Sequence, residues 1–139
     1  MYQTKKRYGF TGTREGMNES QKEKVRQMIK KDIDDGYLLE VYHGDCVGAD
    51  KDFHEICRSV SILCIRIVIF PPTDNKLRAY CQGNELKPAK PYLDRNRDIV
   101  DGCDVLIGCP KSSEYEARSG TWYTIKYAEK HGKKVELVV

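Results

Sequence analysis

Two periodicities alternate along the chain. Short runs of continuous or alternating apolar character, Lys6–Thr11, Leu38–Tyr42, Cys64–Phe70, Asp104–Cys109 and Lys134–Val139, predict five β-strands. Cys64–Phe70 is apolar enough to be central or well covered. Between the strands the spacing turns helical. Val25, Met28, Ile29 and Ile33 repeat on one face of a helix over residues 19–35, opened by a capping box of Asn18 and Gln21 and stopped by Gly36. Ala49, Phe53, Ile56, Cys57 and Val60 form the apolar face of a second helix. A third spans Leu93–Asp101, and a fourth runs from Ser119-Gly120-Thr121 to Lys130, ahead of Gly132. Pro71-Pro72 end the third strand, and Thr73–Pro91 and Pro110–Arg118 lack periodicity and read as irregular stretches, the first with room for one short helix. Alternation of strand and helix predicts an α/β fold: a five-stranded, mainly parallel sheet with helices on both faces, three layers in all.

In such a sheet ligands sit beyond the carboxyl ends of the strands. The glycine-rich turns of this chain lie at those ends: Gly12-Thr13-Arg14, Gly44-Asp45-Cys46-Val47-Gly48 and Ser119-Gly120-Thr121. Glycine lets backbone N–H groups approach an anion closely, and the helix that follows adds its positive end. Any one of these turns is as well explained by tight packing; the three together favour a phosphate or nucleotide cradle. The spacing G-x-G-x-x-G is absent, which argues against an ordinary dinucleotide dehydrogenase.

Composition narrows the classes further. The 139 residues fit one domain, 1–139, and 40% apolar with 32% charged residues describes a globular chain. The net charge of +3, with no basic block longer than Lys5-Lys6-Arg7, makes nucleic acid a poor expectation. No apolar run reaches a membrane span, and the basic opening Met1–Arg7 leads into no signal-type apolar stretch, so a cytoplasmic protein without a membrane partner is expected. The cysteines at 46, 57, 64, 81, 103 and 109 have no metal-knuckle spacing; they are expected to be reduced thiols with no metal, and no cofactor is expected.

The motifs also carry a family resemblance. His43-Gly44-Asp45-Cys46-Val47-Gly48-Ala49-Asp50 resembles the HGGARGAD-type turn of the YspA/YpsA-like branch of the SLOG superfamily. Arg95-Asn96-Arg97-Asp98-Ile99-Val100 followed by Asp104-Val105-Leu106-Ile107 resembles that branch's RNREM and D-LI-F segments. Ser119-Gly120-Thr121, Ala128 and Gly132-Lys133-Lys134-Val135 resemble its ending, and Gly9–Arg14 its opening. The resemblance covers nearly the whole chain outside 71–90 and 110–118. It implies a Rossmann-like fold related to DprA and to the Lonely Guy phosphoribohydrolases. It further implies a nucleotide-derived ligand, such as a nucleoside phosphate or an ADP-ribose-like molecule, and a homodimer or higher oligomer.

The resemblance implies ligand contacts at Gly12, Thr13, Arg14, Gly44, Asp45, Cys46, Gly48, Asp50, Arg95, Ser119, Gly120 and Thr121. Arg14 and Arg95 are suited to a phosphate, Asp45 and Asp50 to ribose hydroxyls; Arg14 is equally suited to a surface ion pair, and Asp50 to complementing a helix start. Arg95 and Arg97 point different ways on one helix, so one faces the ligand and the other solvent. Trp122 and Tyr123 offer rings for a base or for the core. The phosphoribohydrolases carry an arginine nine residues before a strand-opening aspartate, as Arg95 stands before Asp104, and a glutamate in P-G-G-x-G-T-x-x-E. That glutamate falls on Thr124, which cannot serve as a carboxylate base. Catalysis would then fall to Arg95 with Glu114 or Glu116 of the inserted loop. Three readings therefore stand: a sensor or sequestering protein for a nucleotide-derived ligand, an N-glycosidic hydrolase of nucleoside monophosphates, and a DprA-like single-strand DNA binder.

Overall fold

Side chains alternate across a strand, and here both faces of the sheet are buried, so each central strand feeds two apolar layers. The structure, a computed structural model, describes residues 4–139; the first three residues of the basic opening lie outside it. Its strands are β1 (Lys5–Gly12), β2 (Leu38–His43), β3 (Ile65–Ile69), β4 (Glu85–Leu86), β5 (Val105–Cys109) and β6 (Lys134–Leu137). Its helices are α1 (Glu19–Asp34), α2 (Ala49–Val60), α3 (Tyr92–Gly102) and α4 (Gly120–Lys130), with a single 3-10 turn at Asn75–Leu77.

The six strands are all parallel, in the order β4-β3-β2-β1-β5-β6. The sheet thus has one strand more than the five expected. The added strand is β4, two residues that pair with Val68 and Ile69 inside the stretch read as loop. With one exposed leucine and a half-buried glutamate it has no apolar pattern to announce it.

On one face, α1 and α2 cover Tyr8, Phe10, Val41, Ile67, Ile69 and Ile107; Phe10 stacks on Phe53 of α2 at 4.3 Å between ring centroids. On the other, α3 and α4 cover Tyr42, Val68 and Leu106 with Ile99, Val100, Trp122 and Ile125. Gly9 belongs to that second face. A β-carbon there would come within 2.9 Å of Ile99 and 3.0 Å of the Cys103 sulfur, so α3 packs directly on the β1 backbone. Helix α1 begins as expected: Asn18 Oδ1 accepts from Gln21 N–H at 2.7 Å and Gln21 Oε1 accepts from Asn18 N–H at 3.0 Å. No helix among the described residues is long and apolar enough to cross a membrane.

The strand order reverses direction between β1 and β5. Both of those strands end on the same side, and their following turns diverge to opposite faces, leaving a crevice between them.

Candidate functional site

A cleft of about 320 Å³ opens at that crevice, at the lower end of the size range of small-molecule sites. Four segments line it. The β1 end and its turn bring Phe10 to Glu15; the turn after β2 brings Cys46 and Asp50; the start of α3 brings Tyr92, Arg95 and Asn96; the start of α4 brings Arg118 to Thr121.

The β1–α1 turn is held by α2. Thr13 C=O accepts from Ala49 N–H at 2.9 Å, and Asp52 accepts from Met17 N–H at 2.9 Å. Gly48, at φ +93°, caps α2 directly against the Arg14 carbonyl, where any β-carbon would collide. Gly12 serves the same approach, since its β-carbon would lie 2.5 Å from that of Ala49. These two glycines therefore bring protein segments together, and only Gly12 also borders the cleft.

Arg95 sits at the base of the cleft, only 4% exposed. Its Nη1 donates to the Gly44 carbonyl and, at 2.8 Å, to Phe70 C=O. Its Nη2 lies 3.0 Å from Cys46 Sγ, and its Nε donates to Asn96 Oδ1 at 2.5 Å and Tyr92 C=O at 3.1 Å. Every recorded acceptor is neutral, and no carboxylate forms an ion pair with this guanidinium among the described residues. Gly44 is shaped by it: a β-carbon at 44 would run into the guanidinium. Arg97, one position removed from the cleft side of α3, is exposed and pairs with Asp94 and the Tyr123 hydroxyl.

Asp50 is buried beside this cation. Its Oδ2 accepts from Cys46 N–H at 3.1 Å. Burial raises its pKa from the ordinary 3.8 to about 6, against the lowering effect of Arg95. Burial, and next to it the Asp50 charge, also raises the Cys46 thiol.

Asp45, expected at a ribose hydroxyl, faces away from the cleft. It is fully buried, its carboxylate accepting from Arg78 Nε at 3.0 Å and Cys81 N–H at 2.8 Å. It ties the long 71–91 segment to the β2 turn. With Gly44 and Gly48 it makes three positions of the expected ligand set that do not border the cleft; Gly12, Thr13, Arg14, Cys46, Asp50, Arg95, Ser119, Gly120 and Thr121 do.

At α4, Ser119 Oγ caps Trp122 N–H at 3.2 Å. The N–H groups of the first helical turn have no intrahelical acceptor, and two residues of that turn, Gly120 and Thr121, line the cleft. Thr121 is 6% exposed, and its hydroxyl has no recorded protein partner among the described residues. Thr124, at the position where the phosphoribohydrolases carry glutamate, is buried. Its hydroxyl donates to Gly120 C=O at 2.8 Å and accepts from Asn96 Nδ2 at 3.0 Å. A continuous chain of bonds thus links the α4 turn through Thr124 and Asn96 to Arg95. Glu114 and Glu116 are exposed on the inserted loop and do not line the cleft; Glu15 does, at its mouth.

Sequence reasoning missed Tyr92, Asn96, Arg118 and Glu15. Asn96 lies inside the RNR motif and Tyr92 directly after the Pro91 that precedes α3, so the signal for both was present as position. The rings it did single out lie elsewhere: Trp122 is in the core beside Tyr115, and Tyr123 is held by Arg97.

All six cysteines are free. The fold does gather His43, His54 and Cys81, whose ligand atoms lie within 4.8 Å of one another, although no sequence spacing announces it. The hydrogen bonds set this group for another use. His43 Nδ1 accepts from Asp45 N–H at 2.9 Å, which puts the ring proton on Nε2, facing His54 Nδ1 at 2.9 Å. Burial, helped by His54 and Arg95, holds His43 neutral, at about 3. A metal at Nε2 would require removing that proton, so the pair acts as a buried clamp on the β2 turn.

No protein-family model and no curated protein matches this chain. Solved structures do. A molybdenum cofactor binding protein from Rippkaea orientalis superposes with a TM-score of 0.71 at 18% identity, over 96% of this chain and 76% of that one. The molybdenum cofactor carrier protein of Chlamydomonas reinhardtii gives 0.64 at 15% identity over 96% and 76%. The structural-genomics protein TM1055 gives 0.64 at 18% identity over 94% and 72%. The α/β fold with a parallel sheet between helices is shared with all three.

Proposed function

We propose that this chain binds a small phosphate-bearing ligand of nucleotide or cofactor type in the cleft between β1 and β5, as a sensor, carrier or sequestering protein. In this reading residues 1–139 form one SLOG-like domain. The observation that carries it is Arg95: a buried cation whose recorded partners are all neutral, at the base of a cleft bordered by the first turn of α4. Buried charges are normally paired; the nearby Asp50 makes no ion pair with Arg95, and an anionic ligand supplies a direct partner. The fold is shared with a molybdenum cofactor binding protein and a molybdenum cofactor carrier protein, which supports a small ligand of cofactor size over a polymer. A cytoplasmic location and a homo-oligomeric state belong to the same reading and come from the sequence.

Binding is favoured over glycosidic hydrolysis by Thr124, which occupies the glutamate position and is committed to Gly120 and Asn96. The test is mass spectrometry of small molecules released by heat from the purified protein, followed by calorimetry with the molecule found. Thr121→Val keeps shape and removes the free hydroxyl. It is expected to weaken binding about ten-fold, the loss of one hydrogen bond to a charged group. A protein that releases nothing and shows no calorimetric signal with AMP, ADP-ribose or inorganic phosphate would end this reading.

A further inference from the structure

One pair of side chains in the cleft makes no hydrogen bond or ion pair with other described residues. The Arg14 guanidinium lies 5.4 Å from the centroid of the Tyr92 ring. Arg14 is exposed, and no hydrogen bond or ion pair of its side chain is recorded among the described residues. Tyr92 is 39% exposed, and its hydroxyl likewise has no recorded partner. Its backbone carbonyl accepts from Arg95 Nε. Both backbones are rigidly placed, Arg14 by its contact with Gly48 and Tyr92 by its position at the start of α3. The ring is set close over Gly120, where a β-carbon would come within 3.2 Å of it. A planar cation and an aromatic ring, both backed by fixed main chain, therefore face each other across the mouth of the cleft.

We propose that Arg14 and Tyr92 are the two walls of a slot for a planar heterocycle, the ring of a mononucleotide-type ligand whose anionic end lies on Arg95. This rests on the anion-binding reading above and adds the subsite that selects the ligand's ring. A flat ring between the two replaces one exposed cation–π contact with two stacked faces, one on the guanidinium and one on the phenol. The free arginine head moves aside to admit it, while the tyrosine stays on its helix. The cleft volume of about 320 Å³ accommodates one phosphate, one sugar and one ring, and excludes a dinucleotide lying wholly inside.

The test is calorimetry of the full chain with ribose 5-phosphate, which has the sugar and phosphate only, and with AMP, GMP and UMP. The wild-type protein is expected to bind at least one mononucleotide roughly five- to 150-fold more tightly than ribose 5-phosphate, the range for stacking one base on an aromatic side chain. Tyr92→Leu should remove most of that ratio, lowering mononucleotide affinity much more than ribose 5-phosphate affinity; Tyr92→Phe should keep it; Arg14→Lys, which loses the plane but not the charge, should reduce it. Equal affinity for ribose 5-phosphate and all three mononucleotides overturns the slot while leaving the anion cleft standing. So does an equal loss for both ligand types in Tyr92→Leu, since a structural role would act on both. Binding of none of the four compounds by the folded wild-type protein overturns the anion cleft and the slot with it.

Discussion

Asp50→Asn tests the electrostatics of the cleft without changing its shape. Asp50 ionises near 3.8 in the unfolded chain and near 6 in the folded one. The folded state therefore binds a proton more tightly across that window, and stability falls as pH rises from about 4 to about 6. Above it the whole penalty stands. At about 1.4 kcal/mol per pH unit, a shift from 3.8 to about 6 amounts to about 3 kcal/mol for the charged form. Asparagine keeps an oxygen for Cys46 N–H, weakens the hydrogen bond from Gly44 N–H and carries no charge, so part of that penalty is regained.

The variant is expected to be more stable than wild type by about 1–3 kcal/mol at pH 7.5, with the gain shrinking toward zero near pH 4, where the wild-type carboxyl is protonated when folded. Urea unfolding at pH 4, 5.5 and 7.5 measures it. Calorimetry with sulfate, whose charge is constant over this range, reads the second consequence. An anion on Arg95 is repelled by the Asp50 carboxylate, so wild-type affinity should rise as pH falls through 6, while the Asn variant binds sulfate more tightly at pH 7.5 and without that slope. A variant less stable than wild type at pH 7.5, or a gain equal at all three pH values, would refute the reasoning. The first would show that the Asp50 charge is a needed partner of Arg95 rather than a cost beside it, the second that its ionisation is not what costs stability.

Arg95→Ala should lower stability by roughly 3 kcal/mol or more, because it strips the Gly44 and Phe70 carbonyls of their buried donor; an unfolding midpoint within error of wild type would contradict the network. Gly48→Ala should cost about 2 kcal/mol or more, since alanine at φ +93° is strained and its β-carbon meets the Arg14 carbonyl; a neutral result in thermal melting would show that the β1 turn is free to move. Incubation with AMP should release no adenine detectable by chromatography. Release by wild type that is lost in Glu116→Gln or Glu114→Gln would restore the hydrolytic reading through the inserted loop.

The elements that local chemistry controls were legible. The Asn18–Gln21 box marks the start of α1 to the residue, and the apolar run CIRIVIF marks a well-covered strand, because capping and local apolar runs depend on neighbours only. What escaped depends on partners far away in sequence. Strand β4 exists through backbone pairing with Val68 and Ile69, which no side-chain pattern encodes. Asp45 looked like a ribose ligand because the turn around it faces the right edge of the sheet. Its occupation by Arg78, 33 residues on, is visible only once the long segment is folded back. The glycine turn draws attention to Trp122 and Tyr123, which rotate into the core and toward Arg97, while Tyr92, distant in sequence from that turn, reaches the cleft.

Arg95 shows why motif and mechanism separate. Its position was read from the RNR segment, and the structure does put it on the cleft. Yet the same guanidinium holds the β2 turn through Gly44, the end of β3 through Phe70 and the α4 relay through Asn96. A ligand bound on this cation would therefore be bound on the group that fixes two of the four segments bordering the cleft, the β2 turn and the α4 start, and the end of β3 behind them. Occupation of the cleft should thus stiffen the β2 turn and the α4 start together. Removing Arg95 cannot distinguish loss of ligand from loss of the site. Thr121, Tyr92 and Asp50 can, because each borders the cleft and each can be altered with the backbone around it left in place.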